Sequence, residues 1–190
     1  MGQVTAGQQV GRPDVVLEGM VFLGKKVTLQ ARPGYGRLII GRWAHVGDLT
    51  RLRAHEGTLR VGDRAVFGRD ASVNCYLDVE IGAATMVADW VYVCDFDHAN
   101  AAGDDVADVG GDDVANADEP PPIKDQGLVK SPVRIGPGCV LAAHAVARGR
   151  YPDRSVIAGV PGRVVRDGQR ATRLRAEASA RPRRLGGRAG

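Results

Sequence analysis

An apolar residue recurs every six positions in four runs: Ile40, Val46 and Leu52; Val61, Phe67 and Val73; Ile81, Val87 and Val93; and Ile135, Leu141 and Ala147. Glycine follows six of these, at Gly41, Gly47, Gly62, Gly68, Gly82 and Gly136. The fifth residue of a step is usually small: Ala44, Thr50, Ala65, Ala71, Thr85, Cys139 and Ala145. A period of six cannot mark one helix face, because 3.6 residues per turn scatters it around the cylinder. It fits three short strands per coil, each sending one large side chain into a central column. The small fifth residue suits the corner of a triangular prism, and glycine suits a bend with no room for Cβ. Coils of this kind bury their faces on one another, as solenoids do. An antiparallel sandwich, with strands roughly 8–12 residues apart, would not demand glycine at one phase in four separate stretches. The expected fold is all-β, a left-handed parallel β-helix of hexapeptide repeats.

Successive coils begin 21 and then 20 residues apart, at Ile40, Val61 and Ile81. Three hexads do not fill that distance, so each turn carries a two- or three-residue excursion. An incomplete earlier coil is expected near Leu23-Gly24-Lys25-Lys26-Val27. Between Ile81 and Ile135 a loop must project. From Ala99 to Pro122 it holds seven acids and no Lys or Arg among Ala, Asp, Gly and Val, a composition that cannot bury a core. The expected organisation is a leader over 1–20, a β-helix over 21–166 with a disordered acidic insertion at 99–122, and a basic tail over 167–190. Tyr151-Pro152-Asp153 is expected to end the stack, since proline supplies no ladder donor. A last strand-like turn is expected over Ser155–Pro161, and a short amphipathic helix from Asp167 to Ala180.

A chain of 190 residues with an ordinary apolar and charged balance suits one globular domain. It holds no apolar run near the roughly 18 residues of a membrane span. The first twenty residues lack a basic start and an apolar stretch, so a cytoplasmic location is expected. Cys75, Cys94 and Cys139 form no CxxC pair and read as free thiols. From Arg163 to Gly190 there are nine Arg and two acids, but no aromatic residue follows Val164 on which a base could stack. Nucleic acid is therefore not expected as a partner.

His98 stands where the stack breaks and the loop leaves, after Val91-Tyr92-Val93-Cys94-Asp95-Phe96-Asp97. A neutral imidazole there can take a proton from a hydroxyl as its oxygen attacks a thioester. Asp95 or Asp97 lies near enough in sequence to orient it. Trp43 and Trp90 fall at outward positions suited to the surface or to a subunit contact. His45 and His55 read as polar corner residues, and His144 as an outward-facing strand residue. A zinc site of the β-helix carbonic anhydrase type needs two histidines about five residues apart. The four histidines, 45, 55, 98 and 144, supply no such pair, so no metal is expected.

The coils, the Asp95-Phe96-Asp97-His98 turn, the return Ile123–Gly136 and the closing Ala158-Gly159-Val160-Pro161-Gly162-Arg163-Val164-Val165-Arg166 together resemble the hexapeptide-repeat acyltransferases. The resemblance is nearest to the maltose, galactoside and xenobiotic O-acetyltransferases, and it covers about 21–166. It implies a homotrimer that moves an acetyl or similar acyl group from acyl-CoA, a co-substrate and not a resident cofactor, to a hydroxyl of a sugar-like small molecule or glycan. It implies His98 as the catalytic base and Asn74 as a contact to the acceptor. Ala143, Arg148, Arg163 and Arg166 match the family's cofactor contacts; the arginines suit phosphate chemically. One departure is visible. Val133–Cys139 runs straight into Val140–Ala147, as if one coil of about 18 residues were missing. That departure supports an alternative, a non-catalytic scaffold that has lost part of the CoA cleft.

Overall fold

The computed structural model describes residues 2–4, 14–98 and 127–168. The acidic insertion at 99–122 and nearly all of the tail, with the helix expected there, lie outside these residues. The described strands form a parallel β-solenoid with three faces, a left-handed β-helix. Face one stacks Val15–Leu17, Gly36–Ile40, Gly57–Val61, Asp78–Ile81, Val133–Ile135 and Arg150–Tyr151. Face two stacks Val21–Leu23, His45–Val46, Val66–Phe67, Met86–Val87, Val140–Leu141 and Val156–Ala158. Face three stacks Thr28–Ala31, Arg51–Ala54, Ser72–Cys75, Tyr92–Cys94 and Val146–Ala147. An antiparallel strand closes each end of face two: Gly2–Val4 on Val21–Leu23, and Arg163–Arg166 on Val156–Ala158.

All twelve six-residue positions point inward and are at most 2% exposed. They pair in register down the stack, as Ile40 with Val61, Val61 with Ile81 and Ile81 with Ile135 on face one. Burying each such Val, Leu or Ile contributes about 1.5–3 kcal/mol. The fifth-position residues Ala44, Thr50, Ala65, Ala71, Thr85, Cys139 and Ala145 are fully buried at the corners. Thr50 Oγ1 is accommodated there because it donates to the Gly68 carbonyl at 2.9 Å.

The bend itself sits two residues later than glycine would suggest. At the fourth position the backbone is left-handed in Lys26, Trp43, Leu49, Arg64, Asp70, Ala84, Trp90, His144 and Arg154, and in Gly138. Each of the nine non-glycine residues carries a conformational cost of about 1–2 kcal/mol. The coil ladder offsets it: the N–H of Arg64 donates to the Arg42 carbonyl, that of Asp70 to Asp48, and that of His144 to Asp89. His144 is thus a corner residue, exposed and stacked on Trp90 at 5.0 Å, not a strand residue. Second-position glycine has a different cause. A Cβ on Gly41 would meet Asp63 Oδ1 at 2.5 Å, and one on Gly68 would meet Asp89 Oδ1 at 2.2 Å. Those same carboxylates accept the corner amides of Arg42 and Arg69.

The ladder begins before residue 21 and continues past Tyr151-Pro152-Asp153. Val15–Leu17 already lies in register with Leu38–Ile40. Tyr151 joins the column beneath Ile135, and Val156–Ala158 adds a further face-two strand, so Tyr151-Pro152-Asp153 forms a corner and not a stop. The Tyr151 hydroxyl is held between the N–H and the carbonyl of Arg148, at 3.0 and 2.9 Å.

The three cysteines are buried and free. Burial first, then the charge of Asp95, pushes the Cys75 thiol from near 9 up to about 12; burial likewise raises Cys94 and Cys139. Iodoacetamide at pH 8 is expected to leave the native protein unlabelled and to label all three thiols after denaturation. Equal native and denatured labelling rates for Cys75 would contradict the burial. Unfolded thiols lose their protons first as the pH rises past about 8.5. The unfolded state then binds fewer protons than the native one, so stability falls on the alkaline side, toward pH 12.

Candidate functional site

Inside every coil the stride is six residues; all length variation falls at the third corner, between face three and the next face one. There the chain takes eleven residues from Leu29 to Ile40, nine from Leu52 to Val61, eight from Val73 to Ile81 and four from Ala147 to Tyr151. The long loop leaves at this corner too. Coil to coil, Val87 pairs with Leu141 and Val93 with Ala147 across its root, so the ladder closes as though the loop were absent.

The loop leaves and returns as a short antiparallel hairpin, Phe96–His98 against Leu128–Lys130. His98 lies opposite Leu128; its side chain is outside what is described. Asp95, 2% exposed, sits at the hairpin's base. Its Oδ1 accepts the Tyr76 N–H at 2.8 Å, and its Oδ2 accepts those of Leu77 and Asp78 at 2.7 Å each. Both oxygens are therefore engaged by the preceding coil, and Asp95 is a clamp on that coil. Asp97 ion-pairs with Arg148.

Aromatic rings line the same corner. His55 stacks on Tyr76 at 4.6 Å, and Tyr76 meets the Phe96 edge at 4.6 Å and 64°. All three stand three places after a face-three column residue, a shared phase visible in the sequence but not used there. Lys130 bonds Glu56 at 2.5 Å and lies 5.6 Å from the centre of the Tyr76 ring. That bond holds the Glu56 carboxyl below its ordinary range.

Asn74 points outward from face three, between Arg53 and Cys94 in the ladder. Its Oδ1 lies 3.4 Å from His55 Nε2. Tyr92, in the same strand set, has its phenol raised by burial, an effect that Asn74 opposes by hydrogen bonding. Asn74, the His98 backbone and Arg148 therefore gather at one edge. Ala143 is exposed at the opposite border of face three, at the corner with His144. Arg163 and Arg166 are exposed on the closing strand; next to Arg163, the Gly162 N–H donates to Val146 on face three at 2.7 Å. His45, expected at a corner, is a half-buried strand residue stacked on Phe22 at 4.3 Å. Trp43 and Trp90 are 45% and 49% exposed. Among the described residues, no group of three or more His, Cys, Asp or Glu could hold a metal ion, and no helix is long and apolar enough to cross a membrane.

No protein-family model matches the chain. A protein of Mycobacterium tuberculosis named a probable acetyltransferase is 45% identical over 179 residues, 85% of this chain and 54% of that one. The chain thus spans about half the length of the curated relative it matches. Among solved structures, the N-acyltransferase AntD of Bacillus cereus, in complex with dTDP and 3-hydroxybutyryl-CoA, superposes with a TM-score of 0.54 at 15% identity, over 87% of this chain and 89% of that one. A Ser-to-Cys mutant of AntD, with dTDP-4-amino-4,6-dideoxyglucose and coenzyme A, gives 0.53 at 13% identity, over 90% and 92%. These likenesses show the fold.

Proposed function

We propose that this chain, a member of the hexapeptide-repeat β-helix acyltransferase family, moves an acetyl or similar acyl group from acyl-CoA to a hydroxyl of a sugar-like acceptor, with His98 as general base. The observation that carries the reading is the gathering of Asn74, Arg148 and the strand bearing His98 at one edge of face three. In the proposed step the His98 imidazole takes the hydroxyl proton while the oxygen bonds to the thioester carbonyl carbon. The tetrahedral adduct collapses, the C–S bond breaks, and the imidazolium returns the proton to the departing thiolate. Asn74 holds the acceptor. Ala143, Arg148, Arg163 and Arg166 contact the CoA. Arg148 shares its guanidinium with Asp97, which its five N–H donors allow.

Face two supports self-association as a homotrimer. Its outward column, Phe22, His45, Val66, Met86, Val140 and Val156, is apolar but for one imidazole, with Val66 41% and Met86 52% exposed. Face one instead turns out Arg60, Glu80 and Arg134.

The test is thiol release from acetyl-CoA with a panel of neutral sugars and their amino-sugar counterparts, on a preparation sized by sedimentation. Turnover with hydroxyl acceptors is expected. Turnover confined to the amino sugars would replace O-acylation by N-acylation, the reaction named for AntD. No acceptor-dependent release from any of them would favour the non-catalytic scaffold suggested by the shortened stack. Sedimentation as a monomer would remove the trimer.

A further inference from the structure

We propose that Glu56, Tyr76 and Lys130 are positioning residues, which hold the loop-root hairpin against the third corner and so set the place of His98; the inference rests on the reading of His98 as base. Among the described residues the hairpin has three register pairs, Phe96 with Lys130, Asp97 with Val129 and His98 with Leu128. A two-stranded ribbon of that size does not hold itself in water. What holds it comes from other coils. The second coil supplies Glu56 to Lys130, across 74 residues of sequence. The third supplies Tyr76, which touches both hairpin strands: Phe96 on one, Lys130 on the other. His55 backs Tyr76 by stacking. The fifth coil supplies Arg148 to Asp97.

An exposed ion pair on a rigid coil does little, because the ladder already fixes both partners. At the third corner the same modest interaction acts on a segment with three ladder pairs of its own among the described residues. It then decides where a short strand lies. The excursions that lengthen the second and third coils thus have a use, since they carry Glu56 and Tyr76 outward to the hairpin.

The experiment is a charge swap on the full chain. Glu56→Lys alone and Lys130→Glu alone are expected to lower kcat roughly 2- to 5-fold, the scale of one lost ion pair, with KM for acetyl-CoA and the thermal midpoint little changed. The double swap is expected to restore kcat, and Tyr76→Phe to retain it where Tyr76→Ala does not. Arg60→Gln, which breaks a pair with Glu18 on face one, serves as the neutral control. A readout independent of turnover is amide hydrogen exchange of Phe96–His98 and Leu128–Lys130: faster in each single variant, slowed again in the swap. Unchanged exchange and unchanged kcat in the single variants, with His98→Ala inactive, would overturn the positioning role and leave the base assignment standing. If His98→Ala keeps full turnover, the base assignment falls, and exchange alone judges whether these residues hold the hairpin.

Discussion

The His98→Ala substitution is expected to lower kcat for a hydroxyl acceptor roughly 10²–10⁴-fold, the range that loss of a general base commands. A sugar hydroxyl is a poor nucleophile until its proton leaves, and a neutral imidazole can take that proton. KM for acetyl-CoA should move little, because the proposed cofactor contacts lie elsewhere, on Ala143, Arg148, Arg163 and Arg166. The thermal midpoint should also hold, since position 98 lies beyond the buried column, whose last member before the loop is Val93. His98→Asn, which keeps polarity but accepts no proton as a base, should behave like the alanine variant. Steady-state thiol release with circular dichroism on the same samples decides it. Turnover within about 3-fold of the parent, far outside the range above, would sink the assignment.

Asp95→Ala is expected to have the largest effect on stability of any single polar substitution in the described chain. The carboxylate is buried and accepts three backbone N–H groups from Tyr76, Leu77 and Asp78. Removing it leaves those donors without their acceptor, at a cost of about 3–5 kcal/mol. For a domain of this size that is a fall in midpoint of roughly 6–20 °C. Asp95→Asn should fall between, because one oxygen still accepts while its NH₂ faces an amide donor. In a solenoid the loss need not spread evenly; the third corner should loosen before the coils do. Turnover should fall along with stability, which separates this variant from His98→Ala. A thermal midpoint within 2 °C of the parent, less than about 1 kcal/mol would produce, would mean that solvent replaces the carboxylate.

The inward column was legible because it obeys one period, and a period survives without any knowledge of which coil touches which. Ile40, Val61, Ile81 and Ile135 follow from spacing alone, and the ladder pairs them. The corners were half legible. Glycine at the second position was read as a bend, yet Gly41 and Gly68 are needed for the approach of Asp63 and Asp89 from the next coil. The bend falls on Trp43, Arg64 or His144, whose left-handed backbone is made tolerable by a hydrogen bond to another coil. Nothing in a local stretch announces that. The third corner was least legible. Asp95 and Asp97 both stand close to His98 in sequence, and proximity offers either to orient the imidazole. That the Asp95 carboxylate accepts three N–H groups of the preceding coil is not announced by any local stretch. Glu56 with Lys130 and Asp97 with Arg148 are separated by 74 and 51 residues and follow no repeat. Such pairs exist only once the stack has brought them to one edge.

The confinement of all length variation to the third corner bears on how such a scaffold can change over generations. An extra residue within a six-residue stride would turn the side chains that follow it out of the column as far as the next third corner. At the third corner an insertion of three residues or of forty leaves the next coil in register, because only the closure of a surface loop is altered, and that cost grows slowly with length. Two edges of the prism are therefore closed to tinkering, and one is open. New recognition chemistry can accumulate along that single seam while the buried arithmetic of the molecule stays the same.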